Sequence, residues 1–104
     1  MTRQFDVVAN PDPIDAEHRP YLLILQSDLV SGLTSTVVAP LVPLDQLRGA
    51  DRLNPILSVE GREYWLATHE LFAVEQRILG RKVSSFADRH DAIMNALDFL
   101  FVGF

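Results

Sequence analysis

The spacing of apolar residues is most regular at the end of the chain, in residues 85–104. Apolar side chains recur there every three or four positions, which predicts a helix with one face packed on a sheet. Ser85 is the predicted N-cap, with Asp88 three residues later as a variant of the capping box. The predicted buried face consists of Ile93, Ala96, Leu97, Leu100, Phe101 and Phe104. After Asp98 every side of the helix is apolar, which predicts contact with a second protein surface, either a sister subunit or a target.

Apolar runs before the helix predict five or six short strands. Residues 4–9 predict a first strand with Phe5 and Val7 inward, since polar and apolar residues alternate over its first four positions. Residues 21–25 are apolar throughout, as is typical of a central strand covered on both faces. Residues 34–42 are rich in β-branched side chains and predict a third strand. Within that strand Pro40 removes a hydrogen-bond donor, which indicates a bulge, a bend or an edge.

Turn signals organise the second half of the chain. Glu60-Gly61 separates the apolar runs 55–59 and 62–68, and glycine permits the positive φ that a tight hairpin requires. A further strand is predicted at 71–78, with Phe72, Val74 and Ile78 on one face, and a loop at 80–82 leads to the helix. These short connections predict a single domain, residues 1–104. Its expected class is mainly β (α+β), a strongly bent antiparallel barrel or sheet with one C-terminal α-helix.

Two bulky apolar residues fall where the pattern predicts a turn. Leu29 and Val30 follow Gln26-Ser27-Asp28, which ends the central strand, and they directly precede Ser31-Gly32. Since a turn offers little cover, we expect both side chains to be exposed.

Composition narrows the classes of function. The chain has 104 residues, of which 48% are hydrophobic and 22% charged, as expected for one soluble globular domain. The net charge of −5 has the wrong sign for a protein that neutralises phosphates, so we expect no direct binding to nucleic acid. The absence of cysteine excludes thiolate nucleophiles and disulfides. We find no signal peptide and no apolar run near the roughly 20 residues that span a bilayer, so we expect a cytoplasmic protein that does not contact membranes.

Candidate catalytic chemistry is sparse. The three histidines, His18, His69 and His90, have no metal-ligand spacing, so we expect neither a metal nor a cofactor. Glu17-His18-Arg19 offers an acid, a base and a cation in one loop, which could serve phosphodiester cleavage. The same triplet is an ordinary polar loop in most proteins. The residues therefore favour binding over catalysis, and we expect a protein that is not an enzyme.

Four segments together resemble the CcdB toxins of bacterial toxin–antitoxin modules. They occur in the family's order and spacing over essentially the whole chain: Gln4-Phe5, Leu25-Gln26-Ser27-Asp28-Leu29, Val38-Ala39-Pro40-Leu41, and residues 96–104. The resemblance implies a homodimer of SH3-like barrels, each with a small extra sheet and a C-terminal helix. It also implies a poison of DNA gyrase, which binds the gyrase A subunit, traps the cleaved DNA complex and is neutralised by a CcdA-like antitoxin.

By position, the resemblance implies a gyrase-binding set made of Leu29, Val30, Asp98, Val102, Gly103 and Phe104. Val102 stands where a tryptophan is familiar in the family, and Asp98 stands where an asparagine is. The superfamily also includes MazF-like endoribonucleases, so RNA cleavage is the alternative function. A folded relic that binds an antitoxin but has no toxicity is a further alternative.

Overall fold

A computed structural model describes residues 2–30 and 32–103, which form seven strands and one α-helix. Neighbouring strands are antiparallel, in the order β4-β5-β3-β2-β1-β7, and β6 pairs with β3. The sheet curls into a half-barrel with the helix packed on it, which confirms the predicted fold class. The elements are β1 (Asp6–Ala9), β2 (Tyr21–Ile24), β3 (Ser35–Pro43), β4 (Ile56–Val59), β5 (Arg62–Leu66), β6 (Phe72–Glu75), β7 (Lys82–Ser85) and α1 (His90–Val102).

Strand β3 is the branch point of the sheet. One of its edges pairs with β2, and the other pairs first with β6, over residues 35–38, and then with β5, over residues 41–43. Pro40 lies at this change of partner, where its carbonyl accepts a hydrogen bond of 2.9 Å from the Ala67 N–H. A residue's N–H and C=O point to the same edge of an antiparallel strand. The donor that Pro40 lacks therefore falls between β6 and β5. The β4–β5 hairpin is joined to the same seven-stranded sheet as a branch of β3, where the resemblance implies a small extra sheet.

Both faces of the sheet are covered. The larger core packs against α1, and a smaller one on the opposite face is covered by Val74 and Leu79. Strand β2 contributes Leu23 to the larger core and Leu22 and Ile24 to the smaller one, which confirms the prediction of a central strand buried on both faces. The larger core consists of Phe5, Val7, Leu23, Leu25, Ala39, Leu41, Leu57, Val59, Tyr64, Leu66, Phe86 and Ile93.

The predicted hairpin at Glu60-Gly61 is confirmed. Both residues have a positive φ, 51° and 80°, as two-residue type I′ turns require. On β5, Tyr64 points into the larger core, whereas Trp65 lies on the other side and supports the loop between β3 and β4. The Trp65 Nε1–H donates to the Leu44 carbonyl at 3.3 Å, and a Cβ at Gly49 would overlap the Trp65 ring.

Three predictions in the last third of the chain were wrong. The loop predicted at 80–82 runs into β7, whose pairing with β1 keeps residues 82–85 extended. That pairing also prevents Ser85 from starting the helix, so α1 begins at His90 with Arg89 as its N-cap and no side-chain cap. The strand predicted at 71–78 ends at Glu75, and a 3-10 turn follows it.

Candidate functional site

The segment between β2 and β3 carries three exposed apolar side chains. We call residues 27–30 and 32–34 the tip; it contains a 3-10 turn at Asp28–Val30. The exposed fraction is 95% for Leu29, 48% for Val30 and 58% for Leu33. The predicted exposure of Leu29 and Val30 is therefore confirmed.

Polar side chains of the Gln-Ser-Asp segment hold the tip in place. Asp28 Oδ1 accepts a hydrogen bond of 2.8 Å from the Gln4 N–H, and Asp28 Oδ2 lies 3.5 Å from Arg3 Nε. The hydroxyl of Ser27 accepts from the Leu29 N–H at 3.1 Å, closing a turn that Ser side chains commonly make. The side-chain amide of Gln26 bonds both to the tip and to β3.

A second exposed apolar surface lies at the end of α1. Ile93 and Ala96 are fully buried, whereas Phe101 is 69% and Val102 62% exposed. Phe101 was predicted to anchor the helix, and that prediction was wrong. At about 100° per residue, Phe101 lies about 80° from Ile93 and about 140° from Ala96 around the axis, so it points away from the sheet.

Gly103 ends the helix in a left-handed conformation, with φ of 88°. Its N–H donates to the carbonyls of Asp98 and Phe99 at 3.2 and 3.0 Å, which satisfies acceptors that a helix end leaves open. Asp98 is exposed, and the Arg52 guanidinium lies 5.1 Å from the centre of the Phe99 ring. Phe104, the last member of the predicted set, lies outside the described residues. We call residues 98–103 the helix end.

The tip and the helix end lie near opposite ends of α1. His90, the first residue of the helix, lines the same cavity as Asp28, which precedes Leu29 in the tip. Val102 follows His90 by twelve residues, which corresponds to about 18 Å along the helix axis. Within one chain, the predicted binding residues therefore form two patches, with Leu29 and Val30 in one and Asp98, Val102 and Gly103 in the other.

In the loop triplet Glu17-His18-Arg19, the side chains of His18 and Arg19 make contacts that hold the loop against other parts of the chain. Arg19 Nε and Nη2 lie 2.9 and 2.8 Å from Glu70 Oε1, and Arg19 Nη1 lies 3.6 Å from Asp15 Oδ1. His18 Nδ1 lies 2.7 Å from Gln46 Oε1. A substrate phosphate would have to displace two carboxylates from the arginine, so these contacts do not favour phosphodiester cleavage at the triplet.

Other chemical sites receive little support from the described part of the chain. Residues 2–30 and 32–103 contain no group of three or more His, Cys, Asp or Glu placed to hold a metal ion. No helix in the same ranges is long and apolar enough to cross a membrane.

Tyr21 is a titratable residue with a shifted pKa. Its pKa is raised above the usual value, chiefly by partial burial of the phenol and to a smaller extent by the nearby Glu60 carboxylate. The Tyr21 ring packs edge-on against Tyr64 at 5.6 Å, which makes it part of the core.

An apolar groove on another part of the surface was not predicted as a site. Three of its lining residues, Phe72, Val74 and Ile78, were predicted to share a face, and they line the groove together. Asp12 and Asp15 place carboxylates in the same lining, whose other members are Asn10, Pro11 and Leu22. The apolar side of the groove had a sequence signal, the alternation after residue 71. The acidic side, from the loop at 12–15, had none, because only folding brings that loop next to β6.

Comparisons with known proteins agree with this fold. The family model described as CcdB protein matches residues 4–103. No curated protein sequence matches the chain. Among solved structures, the chain is similar to the toxin MazF-mt6 of Mycobacterium tuberculosis, with a TM-score of 0.72 and 19% identity over 95% of this chain and 96% of that one. It is also similar to a mycobacterial endoribonuclease solved in complex with its cognate antitoxin, with a TM-score of 0.70 and 12% identity over 96% and 94% of the two chains. At these identities the two structures demonstrate a shared fold.

Proposed function

The chain belongs to the CcdB family of toxins from toxin–antitoxin modules, and we propose that it poisons DNA gyrase by binding the gyrase A subunit. The exposure of apolar side chains at the two patches carries this proposal, with Leu29 at 95% and Val102 at 62%. Exposed apolar side chains that cluster on a small domain are typical of protein–protein contact. The proposed contact residues are Leu29, Val30, Asp98, Val102, Gly103 and Phe104.

The proposed mechanism requires binding and no covalent chemistry by the toxin. Gyrase alternates between a state with intact DNA and a state with cleaved DNA. A ligand that binds the cleaved state more tightly shifts the population toward it, by an amount set by the difference between its two affinities. The pairing of Arg19 with Glu70 and Asp15 supports binding over catalysis, as does the net charge of −5. The toxin therefore acts without being an enzyme.

The active form in this proposal is a homodimer. The exposed apolar surface of the helix end, at Phe99, Phe101 and Val102, supports contact with a second copy. A twofold dimer presents each patch twice, which matches a target whose A subunits are themselves paired. Sedimentation at micromolar concentration should then give about twice the chain mass of 11.7 kDa. A clean monomer under those conditions would reject the dimer.

We further propose that a CcdA-like antitoxin binds the groove lined by Phe72, Val74 and Ile78. The two carboxylates there, Asp12 and Asp15, favour an apolar segment that carries basic side chains. Ile78 is exposed, so Ile78→Glu should weaken antitoxin binding without unfolding the toxin. Unchanged antitoxin affinity in this variant would place the antitoxin elsewhere.

The deciding experiment combines three measurements on the purified protein. Supercoiling and DNA-cleavage assays with gyrase should show inhibition and trapped cleavage complexes. Incubation with structured RNA tests the endoribonuclease alternative, and RNA cleavage without any effect on gyrase would replace the proposal. Activity in neither assay, together with binding of an antitoxin, would favour the relic.

A truncated variant lacking residues 102–104 tests whether the helix end contributes to gyrase inhibition. It should lose gyrase inhibition while its unfolding midpoint moves only slightly, because Val102 and Gly103 are exposed. Inhibition by the truncated protein at the wild-type concentration would remove the helix end from the proposed site.

A further inference from the structure

The hydrogen bonds between β2 and β3 change character at Gln26. Regular pairing ends at Ile24 and Val38. Beyond that pair, the backbone N–H groups of Leu25 and Gln26 both donate to one acceptor, the Val37 carbonyl, at 2.9 and 3.3 Å. The main chain of β2 thus leaves the sheet here, while β3 continues back to Ser35 and needs other partners.

The side chain of Gln26 supplies those partners. Its Oε1 accepts from the Val37 N–H at 3.1 Å, and its Nε2 donates to the Ser35 carbonyl at 3.4 Å. The same Nε2 donates to the Val30 carbonyl at 2.8 Å. One amide therefore joins the end of the 3-10 turn, which lies inside the tip, to the start of β3, where the tip ends.

We propose that Gln26 is a positioning residue, which fixes the tip so that Leu29 and Val30 are held ready for the partner. This inference rests on the proposed function and deepens it, because Gln26 itself is only partly exposed and is not among the proposed contact residues. A loop that is ordered before binding loses less conformational entropy on association, which raises affinity without any new contact. Ser27 bonds to Leu29 within the tip and Asp28 bonds the tip to Gln4, whereas the Gln26 amide bonds both to the tip and to β3.

The test uses the isosteric substitution Gln26→Glu in the full chain. The carboxylate can still accept from Val37, but it cannot donate, and it places negative charge against the carbonyls of Val30 and Ser35. The matched control is Gln46→Glu, which makes the same change in an exposed side chain beyond the opposite end of β3, where Gln46 Oε1 lies 2.7 Å from His18 Nδ1. Gln26→Asn is a neutral second variant, with the same amide on a side chain that is one methylene too short.

Two quantities are measured for each variant: amide hydrogen exchange of peptides that cover residues 27–34, and affinity for the purified gyrase A subunit. We expect Gln26→Glu and Gln26→Asn to exchange about tenfold faster in the tip, since each loses more than one hydrogen bond there. Gyrase affinity should fall by a similar factor, while Gln46→Glu stays within about twofold of wild type in both measurements.

The two measurements separate failure of this inference from failure of the proposed function. Unchanged exchange in the tip of a folded Gln26 variant would overturn the positioning role, and so would faster exchange with full gyrase affinity. Equal effects in the Gln46 control would assign the result to charge and overturn the positioning role as well. If the wild type does not bind gyrase, the proposed target is wrong, and the exchange measurement alone decides whether Gln26 orders the tip. Should Gln26→Glu fail to fold, the same criteria apply to Gln26→Asn.

Discussion

The tip and the helix end both expose apolar side chains, but different interactions fix the backbone of each region. The tip depends on polar side chains, chiefly the Gln26 amide and the Asp28 carboxylate, which bond to backbone groups within the tip and to others distant in sequence. The helix end depends on continuous backbone hydrogen bonding from a buried half that contains Ile93, and on the cap at Gly103. A binding surface can thus be fixed either by a few specific side chains or by the extension of an element that is anchored elsewhere.

The largest expected effect separates the two halves of α1. Ile93→Ala should lower the free energy of unfolding by about 2 to 5 kcal/mol, because the side chain is fully buried in the larger core. Phe101→Ala, two turns later on a side that is exposed within one chain, should cost the monomer less than about 0.5 kcal/mol. Denaturant unfolding of both variants, at a protein concentration where sedimentation shows the monomer, measures the difference. Similar losses in the two monomeric variants would mean that Phe101 packs on the core of its own chain.

The next effect concerns gyrase affinity at the helix end. Val102→Trp restores the ring that is familiar in the family and should strengthen binding to the gyrase A subunit by up to about 2 kcal/mol, or roughly 30-fold. Val30→Trp adds the same ring at the tip and should gain less than about threefold. Titration calorimetry with the isolated A subunit measures both affinities. An equal gain at the two positions would indicate non-specific hydrophobic binding.

A smaller effect tests whether the patches act independently. Leu29→Ser and Val102→Ser should each weaken gyrase binding by about 1 kcal/mol, and the double variant should show the sum within about 0.5 kcal/mol. This additivity is expected because the two residues lie near opposite ends of α1. A coupling above about 1 kcal/mol would mean that the tip of one protomer meets the helix end of the other in the assembled dimer.

The smallest effect compares one glycine from each region. Gly103→Ala should cost about 0.5 to 1 kcal/mol of unfolding free energy, since alanine is strained at a φ of 88°. Gly32→Ala in the tip has open space for a Cβ, so it should be neutral within about 0.3 kcal/mol. Thermal unfolding resolves the two. Equal losses would contradict the view that the helix end relies on its glycine cap.

The sequence predicted those parts of the fold whose signals are local. The run at 21–25, the hairpin at Glu60-Gly61 and the exposure of Leu29 and Val30 all follow from neighbouring residues. The strand β7 was missed because three of its four residues, Lys82, Ser84 and Ser85, are polar, and pairing with β1 keeps the segment extended. The start of α1 was misplaced because the Ser85 hydroxyl accepts from the Ala87 N–H at the start of a 3-10 turn, Ala87–Arg89, and the α-helix begins only after that turn.

The proposed binding surfaces also combine features that the sequence predicts with features that depend on tertiary contacts. Position within a family resemblance was enough to select Leu29 and Val102, and both are exposed. The role of Gln26 was not predictable, because its amide bonds to Ser35 and Val37, nine and eleven residues away. The direction of Phe101 was mispredicted because the residue lies at the margin of the apolar stripe, where a small rotation of the helix decides between burial and exposure.

The contact between Trp65 and Gly49 has a spectroscopic consequence. Trp65 is the single tryptophan of the chain, and its indole lies against the loop that joins β3 and β4. Its fluorescence therefore reports whether that loop is seated on β5, and the emission should shift to the red when unfolding exposes the indole to water. Wild-type emission should change little when a partner covers only the tip, whereas Val102→Trp would place a second fluorophore directly at the helix end.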